Sequence, residues 1–154
     1  MATRFVGERI KRREDANLLT GRAVFIDDIE LSDMLHGAVL RSTHASARIL
    51  SIDTSMALAL RGIHAVLTHD DLGTANDPMP LLNDDPGFIY PRTHRALAKD
   101  QVRFVGEPIA FVIGETRYLC EDALDLINVR YDVRDAAVDV MAAAADGAPL
   151  VHDD

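Results

Sequence analysis

The sequence predicts an α+β domain: a mixed, bent β-sheet with three or four short helices, preceded by an extended N-terminal arm. Three observations predict it. First, residues 102–105 have strand character, Gly106-Glu107-Pro108 interrupts them, and residues 109–113 are a continuous apolar run. Glycine opens positive φ, and proline fixes its own φ and lacks a donor, so the interruption reads as a sharp turn or bulge between two strands. Five apolar residues in a row give the second strand two covered faces. Second, Cys120, Ala123, Leu124 and Ile127 fall at i, i+3, i+4 and i+7, the apolar stripe of a helix over residues 117–127. With a strand at 129–133 this makes a buried β-α-β element. Third, the breaks between strands are too frequent for a regular doubly wound sheet.

The remaining elements follow in chain order. Residues 1–35 are rich in charge and poor in period, and predict the arm, with at most a short strand near 23–26. Residues 36–154 form the folded domain. Segments 37–43 and 47–52 alternate apolar and polar residues, giving two strands joined by a turn at 44–46. Residues 54–60 predict a short helix, with Asp53 or Thr54 as its cap and Gly62 as its stop. A strand at 63–68 and one helical turn at 70–72 come next. Residues 73–95 lack any period and hold Gly73, Pro78, Pro80, Pro86, Gly87 and Pro91, the composition of a long loop. Thr116 caps the 117–127 helix, and a last helix over 139–145 stops at Gly147.

Composition narrows the function classes. At 154 residues with 48% hydrophobic side chains, the chain can bury one core. A net charge of −9 excludes a broad basic surface for nucleic acid or anionic lipid. The cluster Arg9, Lys11, Arg12, Arg13 is followed at once by Glu14 and Asp15, as on a solvated or interface-bound arm. The single cysteine, Cys120, cannot form an internal disulfide, which fits a reducing compartment. The N-terminus lacks an apolar leader core and no apolar run reaches membrane-spanning length, so a cytoplasmic location is expected.

The residues show little chemistry. Four acidic pairs, Asp27-Asp28, Asp70-Asp71, Asp84-Asp85 and Asp153-Asp154, are adjacent in sequence and read as surface or capping groups. Among six histidines, His64 and His69 flank a strand and with Asp70 form a conceivable but incomplete metal set. Ser42, Thr43 and His44 end a strand without a nucleophile elbow. Cys120 lies on the apolar helix stripe and reads as a core residue. Arg-Phe-Val-Gly-Glu occurs twice, at 4–8 and 103–107, with unmatched flanks, and is read as coincidence. No residue is assigned as catalytic, cofactor-binding or metal-ligating.

Several motifs, in order along the chain, carry a family resemblance. They are Arg13-Glu14-Asp15 with Leu18-Leu19-Thr20-Gly21, Phe25-Ile26-Asp27-Asp28-Ile29, and Arg41-Ser42-Thr43-His44-Ala45-Ser46-Ala47-Arg48-Ile49. Leu97-Ala98-Lys99-Asp100, Val102-Arg103-Phe104-Val105-Gly106-Glu107-Pro108 and Val129-Arg130-Tyr131 continue the series. The chain resembles the N-terminal α/β hammerhead domain of the molybdopterin-binding large subunit of the xanthine dehydrogenase, aldehyde oxidase and carbon monoxide dehydrogenase family. Within it the carbon monoxide dehydrogenase branch is the nearest in pattern. Ser46, where the family often has histidine, and Arg61-Gly62-Ile63, in place of a Pro-Gly-Val, are departures.

The resemblance implies an oxidoreductase module, a domain or fragment of a molybdenum hydroxylase with a structural and subunit-contact role. The cofactor it implies is a molybdopterin-type molybdenum cofactor in the complete enzyme, with iron-sulfur clusters and flavin in partner subunits and none of these in this chain. The partners it implies are downstream molybdopterin-binding domains or a separate chain bearing them, and the iron-sulfur and flavin subunits. Family members continue for several times this length past the equivalent of His152, so the resemblance implies a fragment, or a separately encoded piece, of such an enzyme. In the loop, Phe88, Ile89 and Tyr90 are candidates for lining a substrate channel or an interface. The alternatives are a non-catalytic interaction domain of the same fold and a small metal-dependent hydrolase built on His64, His69 and Asp70. An apolar face left uncovered would favour the first reading and could drive self-association.

Overall fold

The computed structural model describes residues 7–80, 87 and 93–152. Phe88, Ile89 and Tyr90, the pairs Asp84-Asp85 and Asp153-Asp154, and the first three residues of the 4–8 repeat lie outside the described residues. The chain divides into two compact units, Met1–Met34 and Leu35–Asp154.

In the first unit, α1 (Asp15–Leu19) is one helical turn and a bit more, with Arg12 bonded to Asp15 at 2.9 Å. A 3-10 turn follows at Ile26–Asp28, where the Asp28 carboxylate accepts the Phe25 amide at 2.9 Å. The strand expected near 23–26 is therefore replaced by this turn. The Asp28 side chain supplies the acceptor that a strand partner would otherwise have to provide.

The second unit holds β1 (His36–Arg41), β2 (Ala47–Asp53), α2 (Ser55–Leu58), β3 (Ile63–Leu67), α3 (His69–Leu72), β4 (Gln101–Val102), β5 (Pro108–Gly114), α4 (Arg117–Leu124), β6 (Asn128–Val133) and α5 (Val140–Ala143). The caps expected at Asp53 and Thr116 form, and Asp139, expected inside the last helix, caps it instead. Asp53 accepts the Ser55 amide ahead of α2, Thr116 accepts the Leu119 amide in α4, and Asp139 accepts the Ala142 amide in α5. Gly62 ends the α2 segment with φ +92°.

The α+β class holds, with the β-structure divided between two three-stranded sheets in the orders β1-β5-β3 and β4-β2-β6. All four ladders are antiparallel. The turn at 42–46 thus carries the chain from one sheet to the other. The Gly-Glu-Pro break does the same between β4 and β5, and α4 between β5 and β6. Sequence alternation sets which face a side chain takes, and leaves the partner strand open. β4 is also shorter than residues 102–105 suggested. Its pairing stops at Val102 because the Glu107 carboxylate takes the Arg103 amide and the Glu107 amide bonds Phe104 O, closing a turn. Gly106 reverses that turn with φ +93°.

β5 is the centre strand of its sheet, and both its faces are covered as expected. Ala110 and Val112 join Ala57, Val66, Cys120, Ala123 and Ile127 in one core. Ile109, on the opposite face, joins Ala47, Ala98 and Val102 in a second. Burying Ile109 completely contributes about 1.5–3 kcal/mol. The α4 stripe predicted from spacing packs as expected, with Cys120 and Ala123 fully buried.

Candidate functional site

The polar residues that are buried converge on the segment 97–107. Asn76 is fully buried at the end of a 3-10 turn (Gly73–Asn76) that follows α3. Its Oδ1 accepts the Leu97 amide and its Nδ2 donates to Leu97 O, both at 2.8 Å. The same Nδ2 donates to His69 Nδ1. That bond uses His69 Nδ1 as an acceptor. His64 lies at a register shift in β3, half exposed, with Nε2 3.9 Å from Glu115. Asp70 is on the surface beside Asp71, whose carboxylate accepts the Thr68 amide and hydroxyl and is thereby held below the usual carboxylate range. His69 and His64 thus have partners of their own, Asn76 and Glu115, and Asp70 stands on the surface. Among the described residues no three His, Cys, Asp or Glu side chains are grouped to hold a metal ion.

Ser42 is buried and serves the turn. Its Oγ donates to His44 O at 2.8 Å and accepts the His44 amide at 3.0 Å. Its amide donates to Glu107 O, and its carbonyl accepts from Gly106. Burial pushes the Tyr131 hydroxyl up, partly offset by a hydrogen bond with Ser42, and the His44 and Tyr131 rings meet edge to face at 4.8 Å. With both of its lone-pair and proton roles used locally, Ser42 is a turn holder. Cys120 is fully buried and its thiol donates to His36 O at 3.3 Å. Burial pushes this thiol up, away from the thiolate that reactivity needs.

Two clefts adjoin this segment. The first, about 450 Å³, is of mixed character, with Arg95, Lys99, Asp100, Arg103 and Glu107 beside Pro78, Ala98 and Phe104 in its wall. The second, about 300 Å³, is mainly apolar, with Phe104, Val105, Val138, Leu150 and Val151. Arg103, Phe104 and Val151 belong to both. The Arg103 Nε is buried and has no hydrogen-bond partner among the described residues.

Sequence reasoning quoted Arg103 within a motif and gave it no role, and it passed over Asn76 entirely. The only local signal for Asn76 is a polar amide closing a short turn. Its partner lies 21 residues away, so nothing near it in sequence marks it. Phe88, Ile89 and Tyr90, the candidates for a channel or interface, fall outside the described residues. Among the described residues no helix is long and apolar enough to cross a membrane.

Comparison with known proteins places this geometry. The family described as "Aldehyde oxidase and xanthine dehydrogenase, a/b hammerhead domain" matches residues 20–135, well over half of the chain. The carbon monoxide dehydrogenase large chain of Afipia carboxidovorans is 40% identical over 150 residues, covering 97% of this chain and 18% of its own. The nicotine 6-hydroxylase large subunit of Paenarthrobacter nicotinovorans is 38% identical over 134 residues, covering 87% and 16%. The solved structure of a Cu,Mo-CO dehydrogenase superposes with a TM-score of 0.81 at 41% identity, over 94% of this chain and 17% of that one. The chain therefore spans less than a fifth of these relatives. Its two antiparallel sheets, its short helices and its motif order all agree with one conclusion: the chain belongs to the aldehyde oxidase and xanthine dehydrogenase α/β hammerhead family.

Proposed function

We propose that this chain is the hammerhead segment of the large subunit of a molybdenum hydroxylase, where it supports and contacts other parts of the enzyme and supplies no reacting group. The observation that carries this reading is proportion. Residues 20–135 match the hammerhead family, while the carbon monoxide dehydrogenase large chain it resembles extends far beyond the matched region, which is 18% of its length. The substrate classes named for such relatives, carbon monoxide and N-heterocycles such as nicotine, bound the chemistry of the complete enzyme.

The cofactor this family implies is a molybdenum pterin, with iron-sulfur clusters and flavin in partner subunits. The residues present do not fit a pterin. Such a group needs a deep cleft with many convergent backbone donors. Four backbone donors beside the clefts are already engaged: Ala98 N on Pro108 O, Gly106 N on Ser42 O, Glu107 N on Phe104 O and Arg103 N on the Glu107 carboxylate. No step of the reaction is routed through this chain's residues. What the chain does offer is uncovered apolar surface. Phe104, Val105, Val138, Leu150 and Val151 are all exposed along the second cleft. Such a patch is typical of a contact surface.

The test is reconstitution. The 154-residue chain purified alone is expected to carry no molybdenum and to oxidise neither carbon monoxide, aldehydes nor N-heterocycles. Expressed with the remaining large-subunit domains and the iron-sulfur and flavin subunits in a cofactor-producing host, it is expected to co-purify in a complex containing molybdenum by elemental analysis. Stoichiometric molybdenum on the chain alone, or failure to join that complex, overturns the reading.

A further inference from the structure

We propose that the outer edge of β6 pairs with β6 of a second copy of this chain, antiparallel and centred on Tyr131. In its sheet β6 pairs with β2 alone, and among the described residues no strand lies on its other side. The ladder shows which backbone groups that side offers. Arg134 N donates to Ser46 O at 3.0 Å, in the same register that sets Asp132 across from Arg48. Backbone groups along an antiparallel strand turn to alternate sides, so those of Asp132 and Arg130 turn to β2. Those of Val129, Tyr131 and Val133 turn outward. On β2 the same alternation holds, with the Ile49 amide directed away from β6 and onto Asp100 O at 2.9 Å. An edge of this kind is a template for another strand.

The side chains select the partner. Arg130 and Asp132 are exposed on one face of β6. A two-fold axis through Tyr131 sets Arg130 of each copy directly across from Asp132 of the other. Asp132 then stands between Arg48 of its own chain and Arg130 of the second copy. Within the chain Arg130 faces Ser51, which has no charge. The two copies of Tyr131 exchange both backbone bonds, and Val133, now 62% exposed, meets Val129 of the other copy. Neighbouring registers are penalised. Sliding one copy by two residues, the smallest slip that keeps each side chain on its face, sets Arg130 against Arg130 or Asp132 against Asp132. The other edge strands offer no such match: β1, β3 and β4 contain no acidic residue, so none can set a carboxylate against a cation of its own copy. A six-residue edge is small beside a stable dimer interface, so the association belongs to the weak, concentration-dependent class. It is independent of the hammerhead reading, which concerns other partners.

The experiment is analytical ultracentrifugation of the full chain from about 10 to about 500 µM, with amide hydrogen exchange read at both ends of that range. The parent is expected to gain mass toward a dimer. Exchange at Val129, Tyr131 and Val133 should slow with concentration, and exchange at Asp132, which already turns to β2, should not. Arg130→Asp and Asp132→Arg, each alone, set like charges across the two-fold axis and should weaken association at least about tenfold. Mixed in equal amounts they should restore it, because one copy then carries two carboxylates and the other two cations at the facing positions. Val133→Pro removes an outward donor and no ladder bond, so a loss of about tenfold there carries the test if either charge variant does not fold. The proposal is overturned if the parent stays monomeric, if mass rises without slowing those three amides, if the single variants associate as the parent does, or if their mixture fails to recover.

Discussion

Asn76 shows how one side chain can hold two distant pieces of chain. Its amide satisfies both backbone groups of Leu97, a residue that is itself buried, and adds a bond to His69. Asn76→Ala would take away the side-chain partner of both the buried Leu97 N–H and the buried Leu97 C=O. The expected loss is about 2–4 kcal/mol, read as a lower urea midpoint at unchanged m-value. Hydrogen exchange at the Leu97 amide should accelerate more than at Val112, since the bond lost is local and Val112 sits in the first core, which does not include Leu97. Equal acceleration at the two amides would mean that the residue acts through global stability alone. Little of this was visible in the sequence. An asparagine is common in turns, and what makes this one matter is an acceptor and a donor brought to it from Leu97 by the fold.

At the scale of elements, the end of β5 leaves little room for a side chain at Gly114. A Cβ on Gly114 would sit 2.8 Å from Ile63 Cδ1 and 3.0 Å from both Cys120 Sγ and Gly62 O. The isoleucine tip can move. The Gly62 carbonyl cannot move freely, because it accepts the Glu115 amide at 2.9 Å. Gly114→Ala should therefore destabilise the chain by about 1–3 kcal/mol, measured by chemical denaturation. Measured within a Cys120→Ala background, which frees the sulfur side only, Gly114→Ala should cost less than in the parent and still more than nothing. No cost of Gly114→Ala in that background would show that the carbonyl contact is harmless. The elements themselves were largely legible in the sequence. The 109–113 run, the Cys120–Ala123–Leu124–Ile127 stripe and the cap at Thr116 report local periodicity and local hydrogen bonding, which a chain carries in its own order. Sheet membership was not legible. β1 and β2 are neighbours in sequence yet belong to different sheets, and their apolar alternation is compatible with either partner. The site suffered in the same way: Arg103, Lys99 and Val151 meet at one pair of clefts through folding, and no spacing rule connects residues 99, 103 and 151.

For the whole molecule, the question is how much of the chain the fold requires. Both hydrophobic clusters draw all their residues, fully and partly buried, from the range 38–131. Before Leu35, none of the described residues is buried, and Leu19 and Ile26 are 87% and 86% exposed. We propose on this basis that the arm is dispensable for folding, and that the second unit is a domain by itself. A chain beginning at Leu35 should keep a single cooperative thermal transition, shifted by less than about 4 °C, the equivalent of under roughly 1 kcal/mol. The same truncation should weaken assembly with the remaining large-subunit domains, because apolar side chains that the arm leaves in water are available to be covered by a partner. Calorimetry and a pull-down on one preparation separate the two effects. A midpoint lower by more than about 8 °C would make the arm part of the folding unit. Unchanged assembly would remove the arm from the contact surface, while leaving the hammerhead reading to stand or fall on reconstitution.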